Sequence, residues 1–258
     1  MKTAVALACS MAMLGKATSA VDIKPLILSG TEVPVGTHQY VSGMRSSAEG
    51  SSFCGGSLIA PDWILTAAHC SPDSVKFAAV GTHFVSGSHD GLNIKVAKAI
   101  PHPKYVDATQ GYDFMLLQID KSAPYTPVVL SSDDTKNAPP GSVSTVMGWG
   151  LTSQGGRQSN VLLSVKVPVV TNQQCAANLG LPINDVMLCA GGEANRDSCQ
   201  MDSGGPLVVP RAGTGEDVLV GVVSWGLGCG VKGSPGVYAR VSAERAWIDS
   251  HVKNVTWV

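Results

Sequence analysis

Asp197-Ser198-Cys199-Gln200-Met201-Asp202-Ser203-Gly204-Gly205-Pro206 sets a serine between an acid and two glycines. A serine hydroxyl attacks a carbonyl only when a base takes its proton. Glycines after it let the backbone approach a substrate closely. The bland alternative is a solvent-exposed Gly-Ser loop, and the full ten-residue string argues against it. What separates the two readings is whether the chain supplies a base and an acid to orient it.

Two other clusters can. Leu65-Thr66-Ala67-Ala68-His69-Cys70 places a histidine directly before a cysteine, and a bridge from Cys70 would fix where His69 points. Tyr112-Asp113-Phe114-Met115-Leu116-Leu117 places an acid just ahead of a strongly apolar strand. A carboxylate partly buried there is costly unless a donor such as an imidazole pairs with it. Each cluster by itself also fits a structural histidine or an ordinary turn aspartate.

The chain has 258 residues, a formal charge of −1, 44% hydrophobic and 14% charged residues. That composition can bury a sizeable core and argues against disorder and against a coiled coil. The charge gives no basis for nucleic-acid binding, which shows as a basic patch. Met1-Lys2, the apolar run Ala4 to Leu14 and Ala17-Thr18-Ser19-Ala20 read as a signal peptide over residues 1–20, and hence as a secreted protein. Lys16 interrupts that run too early for a membrane anchor, which needs about 20 apolar residues. No other stretch is suited to span a membrane. Cleavage would remove Lys2 and Lys16 and no acid, leaving 16 basic against 19 acidic groups, or −3.

Cleavage would also remove Cys9 and leave Cys54, Cys70, Cys175, Cys189, Cys199 and Cys229. An even set in a secreted chain reads as disulfides, and spacing alone does not choose the pairing. No two of these lie at zinc-ligand spacing, so no metal is expected.

Short apolar runs recur between turn residues: Ser57 to Ala60, Trp63 to Thr66, Val75 to Val80, Phe114 to Ile119, Val143 to Met147, Val161 to Val170 and Val218 to Trp225. Many β-branched runs at such spacing favour an all-β sandwich or barrel. One helix is expected, at the end, capped by Ser242 with Ile248, Val252 and Val255 on one face. The polar stretch Ser131 to Ser142, with its paired prolines, reads as an interdomain linker.

Together the three clusters, in the order His, Asp, Ser, resemble the trypsin/chymotrypsin family of serine proteases. Cys54-Gly55-Gly56-Ser57-Leu58-Ile59, Gly148-Trp149-Gly150, Ser224-Trp225-Gly226 and Pro235-Gly236-Val237-Tyr238 carry the likeness along nearly the whole chain from Ile27. The resemblance implies two antiparallel six-stranded β-barrels and a C-terminal α-helix, the first barrel over about residues 27–130 and the second over about 131–258. It implies Ser203 as nucleophile, His69 as general base and then acid, and Asp113 as the group that orients the imidazole. Family pairing selects Cys54–Cys70, Cys175–Cys189 and Cys199–Cys229.

The same resemblance places Asp197 at the floor of a primary specificity pocket beside Ser198 and Ser224, with Gly226 and Gly236 as its walls. A buried carboxylate at the end of an open slot favours Arg or Lys, which implies hydrolysis of peptide bonds after those residues. Family zymogens are cut to free an N-terminus whose ammonium pairs with the acid before the nucleophile. Here Ile27 and Asp202 fit that pair, and residues 21–26 fit a propeptide. Leu26 precedes Ile27, so self-activation by a trypsin-like cut is not expected there. Met201 stands where the family has a glycine whose N–H joins that of Ser203 in the oxyanion hole, and a non-glycine at positive φ is strained.

The words Gly30-Thr31-Glu32-Val33-Pro34-Val35-Gly36 and Val80-Gly81-Thr82-His83 give a closer likeness to secreted oomycete trypsin-like proteins. That group includes glucanase-inhibitor proteins, which lack triad residues and bind endoglucanases. The filled triad favours a protease, a monomer acting on protein or peptide substrates and open to protein inhibitors. The alternative is a weakly active or inactive binding protein with an endoglucanase as partner. The loop Thr82 to Asn93 holds one acid, Asp90, too few for a carboxylate calcium site. No cofactor is expected. His38, His83, His89, His102 and His251 read as structural or surface residues, and Asn254-Val255-Thr256 is a glycosylation sequon.

Overall fold

The computed structural model describes residues 30–258. The expected signal peptide, the propeptide and Ile27 lie outside the described residues. The chain enters through β1 (Thr31–Glu32), which pairs antiparallel with a strand far ahead in sequence. Six strands follow: β2 (Val41–Arg45), β3 (Cys54–Ala60), β4 (Trp63–Thr66), β5 (Phe77–Val80), β6 (Leu92–Pro101) and β7 (Met115–Ile119). They close an antiparallel barrel in the order β2-β3-β4-β7-β6-β5.

After the short β8 (Val129–Leu130), a second barrel uses β9 (Val143–Gly148), β10 (Leu163–Val170), β11 (Met187–Gly191), β12 (Pro206–Pro210), β13 (Asp217–Trp225) and β14 (Pro235–Arg240). It closes in the order β9-β10-β11-β14-β13-β12, since β12 and β10 both pair β9. The fold is therefore two six-stranded antiparallel barrels, with β1 added to β10 and β8 lying parallel to β13.

Side-chain alternation explains the closure. In β10, Leu163, Val165, Val167 and Val169 are buried while Ser164, Lys166, Pro168 and Val170 face outward or half outward. That period of two puts Leu163, Val165, Val167 and Val169 into the barrel interior. β3 is buried at all seven positions, because its outer face meets the second barrel. Gly55 makes that contact: its N–H donates to the Ser203 carbonyl at 2.7 Å, and a Cβ there would lie 2.8 Å from the Gly205 Cα.

Three helices flank the sheets: α1 (Asp134–Asn137), α2 (Asn172–Leu179) and α3 (Arg245–His251). Two expectations are corrected here. Ser242 does not cap α3; it sits in a 3-10 turn, Val241–Glu244, and gives its hydroxyl to Asp134 Oδ2 at 2.7 Å. Val252 closes α3 and Val255 lies beyond it, so the apolar face is one turn shorter than its periodicity suggests. The stretch Ser131 to Ser142 contains α1, and Asp134 within it is buried on Arg240 Nη1 at 2.9 Å, which docks the segment on the second barrel. The disulfides Cys54–Cys70, Cys175–Cys189 and Cys199–Cys229 are formed.

Candidate active site

β4 ends at Thr66 and runs into a 3-10 turn, Ala68–Cys70, whose cysteine is tied to β3 by the Cys54–Cys70 bridge. His69 is held in that turn. Its backbone N–H donates to Asp113 Oδ1 at 3.0 Å, and its ring Nδ1 lies 2.7 Å from Asp113 Oδ2. A carboxylate only accepts, so the shared proton sits on Nδ1, and in the neutral ring Nε2 carries the lone pair. Asp113 is fully buried just before β7 and takes a third hydrogen bond, from the Ser224 hydroxyl at 2.6 Å. Ser224, expected to line a substrate pocket, does line one but spends its hydroxyl on Asp113.

Ser203 lies on the turn entering β12. Gly204, at φ +79, donates its N–H to the Val223 carbonyl, and a Cβ there would strike Thr66 Oγ1 at 2.3 Å. The serine turn is thus pressed against the end of β4, three residues before His69. Among the described residues no hydrogen bond joins the Ser203 hydroxyl to His69. Met201 has φ +75 and its side chain is exposed. The N–H groups of Met201 and Ser203 donate to no group among the described residues, so both remain free for a ligand oxygen.

Asp202 points the other way, into the protein. It is fully buried and accepts from the N–H groups of Gly150 at 2.8 Å and Cys199 at 2.9 Å. A Cβ on Gly150 would lie 2.1 Å from its Oδ2, which accounts for the glycine beside Trp149. Burial pushes the Asp202 carboxyl up to about 7, against the lowering effect of its two N–H donors. No cation pairs with it among the described residues.

Asp197 is also buried, and burial lifts it to about 6 despite hydrogen bonds from the Gly230 N–H and Ser198. It lines a pocket of about 220 Å³ together with Ser198, Cys199, Gln200, Ser203, Val223, Ser224, Trp225, Gly226, Gly228, Cys229 and Gly236. Ser203 and a buried carboxylate therefore line the same pocket. A Cβ on Gly236 would sit 3.1 Å from Asp197 Oδ1, whereas one on Gly226 would meet nothing closer than 3.7 Å. The first glycine leaves room for the carboxylate, the second for an occupant.

Tyr238 escaped notice as a site residue. It is wholly buried, a Cβ on Gly236 would lie 3.3 Å from its hydroxyl, and among the described residues that hydroxyl makes no well-formed hydrogen bond, with Ser198 its polar neighbour. Its sequence signal is its place in Pro235-Gly236-Val237-Tyr238, a stretch that carries the family likeness without marking the site. Most of the other histidines hold carboxylates: His38 with Asp217, His83 with Glu32 and His102 with Glu244. The one close set of metal-type ligands among the described residues is Cys54, His69 and Cys70, and its sulfurs are consumed by the disulfide. Asn254 is exposed at φ +62.

The family model described as Trypsin matches residues 27–248. The chain is 41% identical over 256 residues to glucanase inhibitor protein 1 of Phytophthora infestans, covering 98% of both chains. It is 42% identical over 233 residues to glucanase inhibitor protein 2 of the same organism, covering 89% of this chain and 90% of the relative. It is 38% identical over 220 residues to a trypsin of Saccharopolyspora erythraea, covering 84% of this chain and 94% of that one. With its two barrels, its three disulfides and this match over most of its length, the chain belongs to the trypsin family of serine proteases.

Proposed function

We propose that the chain is a secreted serine endopeptidase that cleaves peptide bonds after Arg or Lys. The observation that carries this reading is that the buried carboxylate of Asp197 and Ser203 line one pocket. An Arg or Lys side chain entering the slot would bring the carbonyl that follows it to the serine. His69 Nε2 would take the Ser203 proton as the hydroxyl attacks, then return it to the leaving amine. Asp113 would hold the imidazole in the Nδ1–H tautomer and stabilise its cation. The oxyanion would be met by the free N–H groups of Met201 and Ser203. A hydrogen bond between Ser203 and His69 commonly tightens only when substrate is present.

In the mature protein the signal peptide, residues 1–20, and the propeptide, 21–26, would be removed, leaving a monomeric domain over 27–258. The new ammonium of Ile27 would pair with Asp202, a buried carboxylate suited to a cation. Asn254 would carry a glycan. Protein substrates and protein inhibitors are the expected partners.

A second reading is supported by the names of the relatives: a binding protein on a protease scaffold, with an endoglucanase as partner. A fluorophosphonate probe separates the two. Covalent labelling at Ser203 that disappears in His69→Ala supports the protease. Absence of labelling together with capture of an endoglucanase supports the binding protein.

A further inference from the structure

A concavity of about 360 Å³ lies between the segment leading into β2, the connector before β8 and the hairpin that joins β12 to β13. It is remote from the serine. Asp217 opens β13 and Ser224 nears its end, a separation of roughly 23 Å along an extended strand.

Asp217 is the chemical centre of this pocket. Its Oδ2 lies 2.6 Å from His38 Nδ1 and accepts from the Tyr40 hydroxyl, also at 2.6 Å. Its Oδ1 receives no donor from the described residues. Burial pulls the Asp217 carboxyl up, but the hydrogen bonds from His38 and Tyr40 outweigh it and hold the group below its usual range. His38 adopts φ +48, a conformation L side chains rarely take, and its ring is fixed on Asp217. Strain of that kind persists only where the surroundings impose it, and it concentrates at binding sites.

The mouth and walls fit an elongated cation. Gly36 and Gly215 stand at the rim, and an added Cβ on either would meet nothing within 4 Å. Pro127, Val128 and Val129 offer an apolar wall, and Glu216, itself paired with Arg211 Nη1 at 3.2 Å, lines the pocket beside Asp217. We infer that this pocket receives a lysine or arginine side chain presented by a partner protein, with the aliphatic stem on Pro127 and Val128 and the cationic tip on Asp217 Oδ1. The inference does not depend on whether Ser203 reacts.

The test uses the chain carrying Ser203→Ala and Asp197→Asn, so that the first pocket neither cleaves nor attracts a cation. N-acetyl-lysine methylamide and its uncharged counterpart, N-acetyl-norleucine methylamide, are titrated while backbone amide resonances are followed by NMR. Saturable shifts at Val128, Val129 and residues 215–217 with the lysine probe alone are expected. Adding Asp217→Asn should weaken them about tenfold or more, with the remaining resonances unmoved as the check on folding. Equal shifts with norleucine, no saturable shifts with lysine, or lysine binding indifferent to Asp217→Asn would each overturn the proposal.

Discussion

Ser224, the last residue but one of β13, donates its hydroxyl to Asp113 Oδ2 across the seam between the barrels at 2.6 Å. The same oxygen faces His69 Nδ1, while Oδ1 takes the His69 N–H. Three donors thus fix a fully buried carboxylate, and one of them comes from the barrel that carries Ser203. One carboxylate ties the imidazole of the first barrel to a hydroxyl of the second.

Ser224→Ala removes one donor from Asp113 and leaves a buried carboxylate short of a partner, a deficit of about 1–3 kcal/mol. A fall in kcat of roughly tenfold to a hundredfold is expected, with KM for a small Arg amide nearly unchanged. A change confined to KM would place the hydroxyl in substrate binding instead.

Met201→Gly relieves φ +75 at a non-glycine residue. The strain is roughly 1–2 kcal/mol, partly offset by the greater freedom of glycine when unfolded. Denaturant unfolding should show a gain of about 1 kcal/mol or less. Because the Met201 N–H is already unspent, kcat should move by less than about tenfold. A rise of a hundredfold or more, the scale of a missing oxyanion donor, would mean that the donor is turned away in the native chain.

Asp197, raised by burial to about 6, must be ionised to attract an Arg side chain. At pH 5 roughly one tenth of it is ionised. The ratio of kcat/KM for Arg over Phe amides should therefore fall about tenfold between pH 7.5 and pH 5. A flat ratio would remove Asp197 from recognition.

Asp202 sets a second pH dependence, on stability. Its folded value of about 7 exceeds the ordinary 3.8, so the folded state holds this proton more tightly than the unfolded one. The associated stability is full below pH 3.8 and is lost as pH rises through about 7. For the chain before cleavage at Ile27, denaturation at pH 5 and pH 8 should show this as a loss on the order of 2 kcal/mol. Asp202→Asn should flatten the slope. In chain cleaved to Ile27, an ammonium partner would hold Asp202 ionised and flatten the slope between pH 5 and pH 8. An unchanged slope after cleavage would argue against that pairing.

Much of this was legible in sequence because the signals were local. Trp63–Thr66 is an uninterrupted apolar run and appears as β4 unchanged, and the alternation of β10 is plain in Leu163–Val170. Strands with buried charge were not legible. β2 ends in Arg45, which reads as a surface residue yet is fully buried, its guanidinium donating to Ser52, Asn93 and the carbonyls of Ala48, Phe84 and Gly87. β6 is half exposed and bulged between Val96 and Lys98, so its alternation is broken. Helix α2 did leave a signal, the capping box of Thr171 and Gln174, which the apolar count missed. Ser242 and the pairing of His38 with Asp217 depend on residues more than a hundred positions away, and no local pattern encodes them.

The most direct test compares turnover of Arg and Phe peptide amides by protein whose N-terminus is verified as Ile27, with Ser203→Ala alongside. Turnover of the Arg amide that vanishes in the variant, and exceeds that of the Phe amide by about tenfold to a hundredfold or more, is the expected result. Folded, correctly cleaved protein that turns over neither amide faster than Ser203→Ala would contradict the protease reading and leave the endoglucanase-binding role in its place.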